Sequence, residues 1–206
     1  MTGRLLLCLL LLTGCTGVEK PEPEGPLTGA RLVEELRDGG YVIVVRHTAT
    51  EEGGVDDPAQ LEDCAPQREL TDEGRQQARE LGAAIVDLEI PVDRVLASPY
   101  CRTRETAELA FGKDEVETDE VLLPLPGTGK PGNDEAILET ARLVGQQAPE
   151  GSNTMIVTHI SVIEPVTGAT PEEGGSAIFE PEGDGEFRLV AEVPPGGWAK
   201  LLEQVS

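Results

Sequence analysis

A chain of 206 residues with 38% hydrophobic content can bury one substantial core, and nothing in its length demands a second domain. Its 39 acidic residues against 16 basic ones give a formal net charge of -23, which excludes a general nucleic-acid surface because a phosphate backbone would be repelled. Any anionic ligand must be drawn in by a local group of arginines, while the remaining charge serves a solvated surface.

The first stretch, MTGRLLLCLLLLTGC, has one arginine followed by a nearly unbroken leucine run from Leu5 to Leu12, too short to span a bilayer as a mature helix. Residues 1–14 therefore read as a signal peptide. The sequence Leu12-Thr13-Gly14-Cys15 resembles the lipobox of bacterial lipoproteins, which implies a lipid on Cys15 and a membrane attachment through it. The alternative is an ordinary secretion signal with an incidental cysteine. Either reading puts the mature protein outside the cytoplasm, and the first makes it a lipid-anchored protein of the bacterial cell envelope, on the periplasmic or extracellular face. The Pro-, Glu- and Gly-rich stretch after Cys15 reads as a flexible tether over residues 15–29, with one domain over 30–206 whose folding begins near Ala30. Cys8 leaves with the signal, so Cys64 and Cys101 remain in the folded part. In an oxidising compartment such a pair is most simply a disulfide that stabilises the fold by ~2–4 kcal/mol; two buried thiols are the alternative.

Within the domain, strand-like and helix-like stretches alternate. YVIVVR (41–46) is a continuous apolar run of the kind that a parallel strand covered on both faces shows. LTDEGRQQARELGAAIVDLEIP predicts a helix with Thr71 as N-cap, one face carrying Ala78, Leu81, Gly82 and Ile85, and a stop at Pro91. A short strand, DRVLASP, leads to a helix, YCRTRETAELAFG, ended by Gly112. A weaker strand near Val116 to Leu123 precedes a Pro/Gly loop and a helix from about Asp134 to Gln147. NTMIVTHI is again a buried strand, and SAIFEPEGDGEFRLVAEV reads as a hairpin turning at Asp184-Gly185. The alternation predicts a three-layer α/β/α sandwich with a largely parallel central sheet and no internal repeat.

Ligands of open α/β sheets gather beyond the carboxyl ends of the strands. Three such ends carry Arg46-His47, then Ser98 to Arg102, then Thr158-His159, so both histidines of the chain and two arginines are expected on one rim. Either histidine alone would read as a structural residue at a strand end; their coincidence points to chemistry.

VVRHTAT, LTDEGRQQARELG, VLASPYCRTRETAELA and NTMIVTHI, in this order and spacing, resemble the histidine phosphatase (phosphoglycerate mutase-like) superfamily over roughly Gly39 to Thr167. The usual glycine after the first motif's histidine is here Thr48. The resemblance implies a phosphoglycerate mutase-like fold and metal-independent phosphatase chemistry of the histidine acid phosphatase type, acting on a small phosphorylated substrate with no cofactor. In that chemistry a neutral imidazole is a competent nucleophile toward phosphorus, the role given to His47, and a phosphohistidine intermediate is later hydrolysed. Arg46 and Arg102 offer planar multidentate donors to the phosphate oxygens, His159 adds a donor in the transition state, and Thr48 completes the phosphate site.

The leaving group needs a proton, usually from Asp or Glu. One branch of the family places the acid in a Leu-x-Glu pattern, where this chain has Leu122-Leu123-Pro124; the other places an Asp after the second histidine, where it has Ile160. Glu164, Asp119 and Glu120 are the substitutes. Without an acid, good leaving groups such as phosphoanhydrides, acyl phosphates or phosphohistidine are preferred. Two isolated histidines do not make a zinc set, and GTGKP fails as a P-loop because Pro124 and Pro131 replace the required Gly and Ser or Thr. A Cys101 nucleophile beside Arg102 would be silenced by a bridge to Cys64. The reading from another class is a non-catalytic envelope lipoprotein that binds a phosphorylated ligand in the same pocket. Specificity is expected in the loop from Thr48 to Pro66 and in the segment from Pro124 to Asp134, and at 3% aromatic content no stacking platform for a base is evident.

Overall fold

The structure, a computed structural model, describes residues 25–125 and 132–205. The expected signal peptide, Cys15 and most of the tether lie outside the described residues, as does the middle of the Pro/Gly segment. Among the described residues no helix is long and apolar enough to cross a membrane.

Six strands form one sheet: β1 (Val42–Arg46), β2 (Val92–Ala97), β3 (Val116–Thr118), β4 (Asn153–Thr158), β5 (Ser176–Gly183) and β6 (Glu186–Val193). Their order across the sheet is β3-β2-β4-β1-β5-β6. The first four are mutually parallel, and the hairpin β5–β6 adds two antiparallel strands at the β1 side. β3 is much shorter than the predicted 116–123 strand. Asp119 accepts the Val121 N–H and turns the chain into a 3₁₀ turn, Glu120–Leu122, instead of continuing the ladder.

Both faces of the sheet are covered, which is why the central strands read as unbroken apolar runs. Ile43, Val45, Val95, Ala97, Met155 and Val157 face one layer, made by α1 (Gly29–Asp38), α2 (Asp72–Asp87), α3 (Cys101–Phe111) and α6 (Gly197–Val205). Val42, Val44, Leu96 and Ile156 alternate to the other side, where Val144 of α4 (Asn133–Val144) and Ile163 of α5 (Ile160–Thr167) cover them. The result is the expected α/β/α sandwich. Two short helices were not anticipated. α1 buries Leu32, Val33 and Leu36, and α6 buries Trp198 and Leu201. Ordered packing also starts before Ala30: Leu27 is buried and its N–H donates to the Val190 carbonyl, so the tether ends a few residues earlier than its composition implies.

Thr71 caps α2 as expected, accepting the Gly74 N–H on its hydroxyl. α2 and α3 approach closely at Gly82, where a Cβ would lie 1.9 Å from the Ala110 carbonyl oxygen. The long excursion between β1 and α2 is pinned to α3 by the Cys64–Cys101 disulfide, and the buried Gln67 side chain reinforces it. Gln67 donates to the carbonyls of Gln60, Leu61 and Asp63 and accepts the Cys101 N–H. The bridge spans 37 residues. A loop of that length predicts that the Cys64→Ser, Cys101→Ser double variant loses about 3–4 kcal/mol of unfolding free energy, measurable by denaturant titration against the oxidised protein.

Candidate active site

The carboxyl ends of β1, β2 and β4 meet on one rim, and α3 and α5 start there, so the positive ends of their dipoles also face it. His47 and His159 come together with ring centroids 5.5 Å apart. Both are almost fully buried, at 1% and 3% exposure, in spite of their polarity.

The tautomer of His47 follows from its partner. Its Nδ1 lies 3.0 Å from the Thr48 carbonyl oxygen, which can only accept, so Nδ1 carries the hydrogen and Nε2 keeps a free lone pair. Burial is the main influence on its pKa, lowering it to about 4; the Thr48 bond opposes that, and Arg102 adds to it. The ring is therefore neutral at physiological pH with Nε2 unprotonated.

Thr48 does not serve as a phosphate ligand through its side chain. Its N–H donates to Thr106 Oγ1 on α3, and its hydroxyl meets the same oxygen at 3.1 Å. The Thr106 hydroxyl hydrogen is used on the Arg102 carbonyl at 2.7 Å, so Thr48 Oγ1 donates. Its contribution is the carbonyl that orients His47 and a clamp between the His47 loop and the helix of Arg102. Among the described residues only Glu89 and Asp184, apart from glycines, have positive φ, so Thr48 stands without backbone strain.

Arg102, 3% exposed, is the centre of the cluster. Its guanidinium makes a two-pronged ion pair with Asp56, at 2.8 and 2.9 Å, and lies 5.0 Å above the Tyr100 ring. One nitrogen also donates to His159 Nδ1 at 3.1 Å. A guanidinium has no acceptor, so His159 Nδ1 is bare and Nε2–H donates to Ser98 Oγ at 2.9 Å. His159, the expected donor to phosphate, thus accepts from Arg102 at Nδ1 and spends its one N–H on Ser98 in this arrangement. Burial first, then Arg102 and His47, hold its pKa well below the ordinary value.

Arg46 reaches the Pro171 carbonyl and Glu173 at 3.3 Å each. Glu173, which sequence reasoning missed, also accepts the Thr50 N–H and hydroxyl and lies 3.9 Å from Arg68. Arg68 was missed as well. It shares Glu173 with Arg46, which places a third guanidinium at the edge of the site; the one signal for it was an arginine just ahead of the Thr71 cap in a strongly acidic chain. The Nε of Arg46 and of Arg102 is buried without a hydrogen-bond partner among the described residues.

The expected acids fare differently. Glu164 is exposed on α5, whose Val162 and Ile163 turn inward, so its carboxylate faces solvent and not the histidines, contrary to the catalytic role expected of it. Asp119 is committed to its cap. Glu120 lines a cavity of about 540 Å³ together with Asp56, Tyr100, Val121, Leu123 and Pro124. Cys101 is in the disulfide and offers no thiolate. Among the described residues no group of three or more His, Cys, Asp or Glu is placed to hold a metal ion.

Residues 42–123 match the family model of the histidine phosphatase superfamily (branch 1). The matched stretch contains Arg46, His47, Arg68 and Arg102, and the overall fold is that of the phosphoglycerate mutase-like histidine phosphatases. Solved structures agree on the fold. The protein histidine phosphatase SixA complexed with tungstate aligns at 19% identity over 75% of this chain and 97% of its own, with a TM-score of 0.54. A putative alpha-ribazole-5'-P phosphatase from Escherichia coli aligns at 17% identity over 73% and 94%, TM-score 0.54. A phosphoserine phosphatase from Entamoeba histolytica in complex with 3-phosphoglyceric acid aligns at 20% over 74% and 95%, TM-score 0.51. No curated protein matches the sequence.

The depressed pKa of His47 has two measurable consequences. For a reaction that starts from unprotonated His47, the acid limb of kcat/KM should fall near pH 4 instead of near 6.5. Stability moves with the same sign. Between pH 6.5 and 4 the unfolded His47 holds a proton that the folded one does not, so unfolding free energy falls as pH falls, by on the order of 3 kcal/mol from this residue. Denaturant titrations at pH 7 and pH 4.5 should show a smaller drop for His47→Asn than for wild type.

Proposed function

We propose that this protein is a phosphatase that hydrolyses phosphate esters or anhydrides through a phosphohistidine on His47. The observation that carries the reading is the Nδ1–H bond of His47 to the Thr48 carbonyl, which leaves Nε2 unprotonated among Arg46, Arg68, Arg102 and His159. The three guanidiniums would collect a phosphate dianion that the net charge of -23 otherwise repels. Nε2 attacks phosphorus as the P–O bond to the leaving group breaks; water then displaces the imidazole and releases inorganic phosphate. His159 joins as a donor to the phosphoryl oxygens when Arg102 turns from it to the dianion. The apolar Leu12-Thr13-Gly14-Cys15 leader supports an extracytoplasmic, lipid-anchored location, and the Cys64–Cys101 bridge suits an oxidising compartment.

The deciding experiment traps the intermediate. After brief incubation with labelled p-nitrophenyl phosphate and denaturation in base, the peptide containing His47 should carry a base-stable, acid-labile phosphoryl group. A wild-type protein that turns over without this adduct contradicts the covalent route.

A further inference from the structure

The acid that protonates the leaving group has no counterpart at the family positions, where Pro124 and Ile160 stand. The geometry points to Asp56 as that proton donor, with the Arg102–Asp56 ion pair as its resting position; this assignment rests on the phosphatase reading.

Two observations single out Asp56 among the described carboxylates. Its two oxygens occupy the guanidinium edge of Arg102, the positions that two phosphate oxygens would take in a fork-to-fork contact. The same residue lines the cavity of about 540 Å³ beside the rim, whose other walls include Tyr100, Val121, Leu123 and Pro124. Asp56 therefore belongs both to the guanidinium edge of Arg102 and to the lining of this cavity, where a leaving group would lie. Glu120 shares the cavity, but the carboxylate paired with Arg102 is that of Asp56, and Glu173 is committed to Arg46 and Thr50.

Asp56 is free enough to move. Its side chain is 37% exposed whereas Arg102 is 3% exposed, so an incoming phosphate can take the guanidinium and release the carboxylate toward solvent and the cavity mouth. The loop that carries it stays anchored farther along by Gln67 and the disulfide, and next to it by the Val55 N–H to the Pro66 carbonyl. The displaced carboxylate lies beside the bound phosphate and takes up the proton that a phosphate monoanion brings, which gives the carboxylic acid that a general acid requires.

The step balances. The Nε2 lone pair of His47 forms the N–P bond, the P–O bond breaks with its electron pair on the leaving oxygen, and that oxygen takes the proton of the Asp56 carboxyl. In the second half Asp56 accepts a proton from the attacking water as the N–P bond breaks, restoring neutral His47, inorganic phosphate and the carboxyl proton.

The test compares Asp56→Asn with wild type on two esters and on inorganic phosphate. With glycerol 2-phosphate, whose alkoxide needs a proton, kcat should fall about 100-fold or more; with p-nitrophenyl phosphate, whose phenolate leaves readily, the loss should stay under about 10-fold. Asp56→Glu should recover part of the glycerol 2-phosphate rate, and Glu120→Gln should treat the two esters alike. Calorimetric titration with inorganic phosphate should show Asp56→Asn binding at least about 5-fold more tightly, because the internal competitor for Arg102 is gone. Equal losses on both esters, or phosphate affinity no higher than in wild type, overturn the assignment. A wild type that cleaves neither ester refutes the phosphatase reading itself, and the phosphate titration still reports whether Asp56 and phosphate compete for Arg102.

Discussion

Replacing His47 with Ala should lower kcat on p-nitrophenyl phosphate by at least about 10³-fold, equivalent to about 4 kcal/mol of lost transition-state stabilisation. Removal of a nucleophile eliminates the covalent route, and the arginines alone can only assist direct attack by water. The variant should keep its capacity to bind inorganic phosphate, since Arg46, Arg68 and Arg102 are untouched. Because the ring is 1% exposed, its deletion leaves an enclosed space, and added imidazole should enter it and restore part of the rate. Imidazole brings the same attacking nitrogen without the Thr48 bond that fixes the tautomer, so rescue should remain incomplete and rise with pH through the imidazole titration. A variant within about 10-fold of wild type would mean that the phosphoryl group never resides on His47.

Where the chain obeys a short-range rule, the sequence was informative. The apolar runs 42–45 and 155–157 alternate between two covered faces, which requires helices on both sides and hence a parallel sheet. Thr71 and Gly112 punctuate α2 and α3 where expected, whereas α2 already ends at Asp87, before Pro91. The convergence of Arg46, His47, Arg102 and His159 followed from the strand-end rule, because strand ends are legible even when strand order is not. What escaped was held by contacts between distant loops. Arg46 meets Glu173 across 127 positions, and Arg102 meets Asp56 across 46, with no periodicity to announce either pair. Glu164 was chosen for its distance from His159 along the chain, but one turn of helix carries a side chain around the axis as well as along it, and here it turned to water. Thr48, expected in the phosphate site, turns its hydroxyl to Thr106 on α3 instead.

The second large effect is expected at Arg102. Arg102→Ala should lower kcat/KM by roughly 10³-fold and weaken inorganic phosphate by more than about 10-fold, because the most buried guanidinium of the site is lost. Arg102→Lys keeps the charge but not the fork that now grips both oxygens of Asp56, so it should recover at most part of the loss. The change also propagates to His159. Arg102 is its Nδ1 donor and, after burial, the largest influence that keeps its pKa low. Without that cation His159 should titrate at higher pH than in wild type, a shift that histidine NMR can follow in a chain with only two histidines. The two readouts separate a phosphate ligand from a structural arginine. A merely structural Arg102 would unfold the rim and change both histidine signals with stability, whereas a phosphate ligand loses affinity while His47 keeps its titration near pH 4 or slightly above, since one cation that depresses it has been removed. Parallel loss of stability and of phosphate binding, with both histidines returning to ordinary titration, would assign Arg102 to the scaffold.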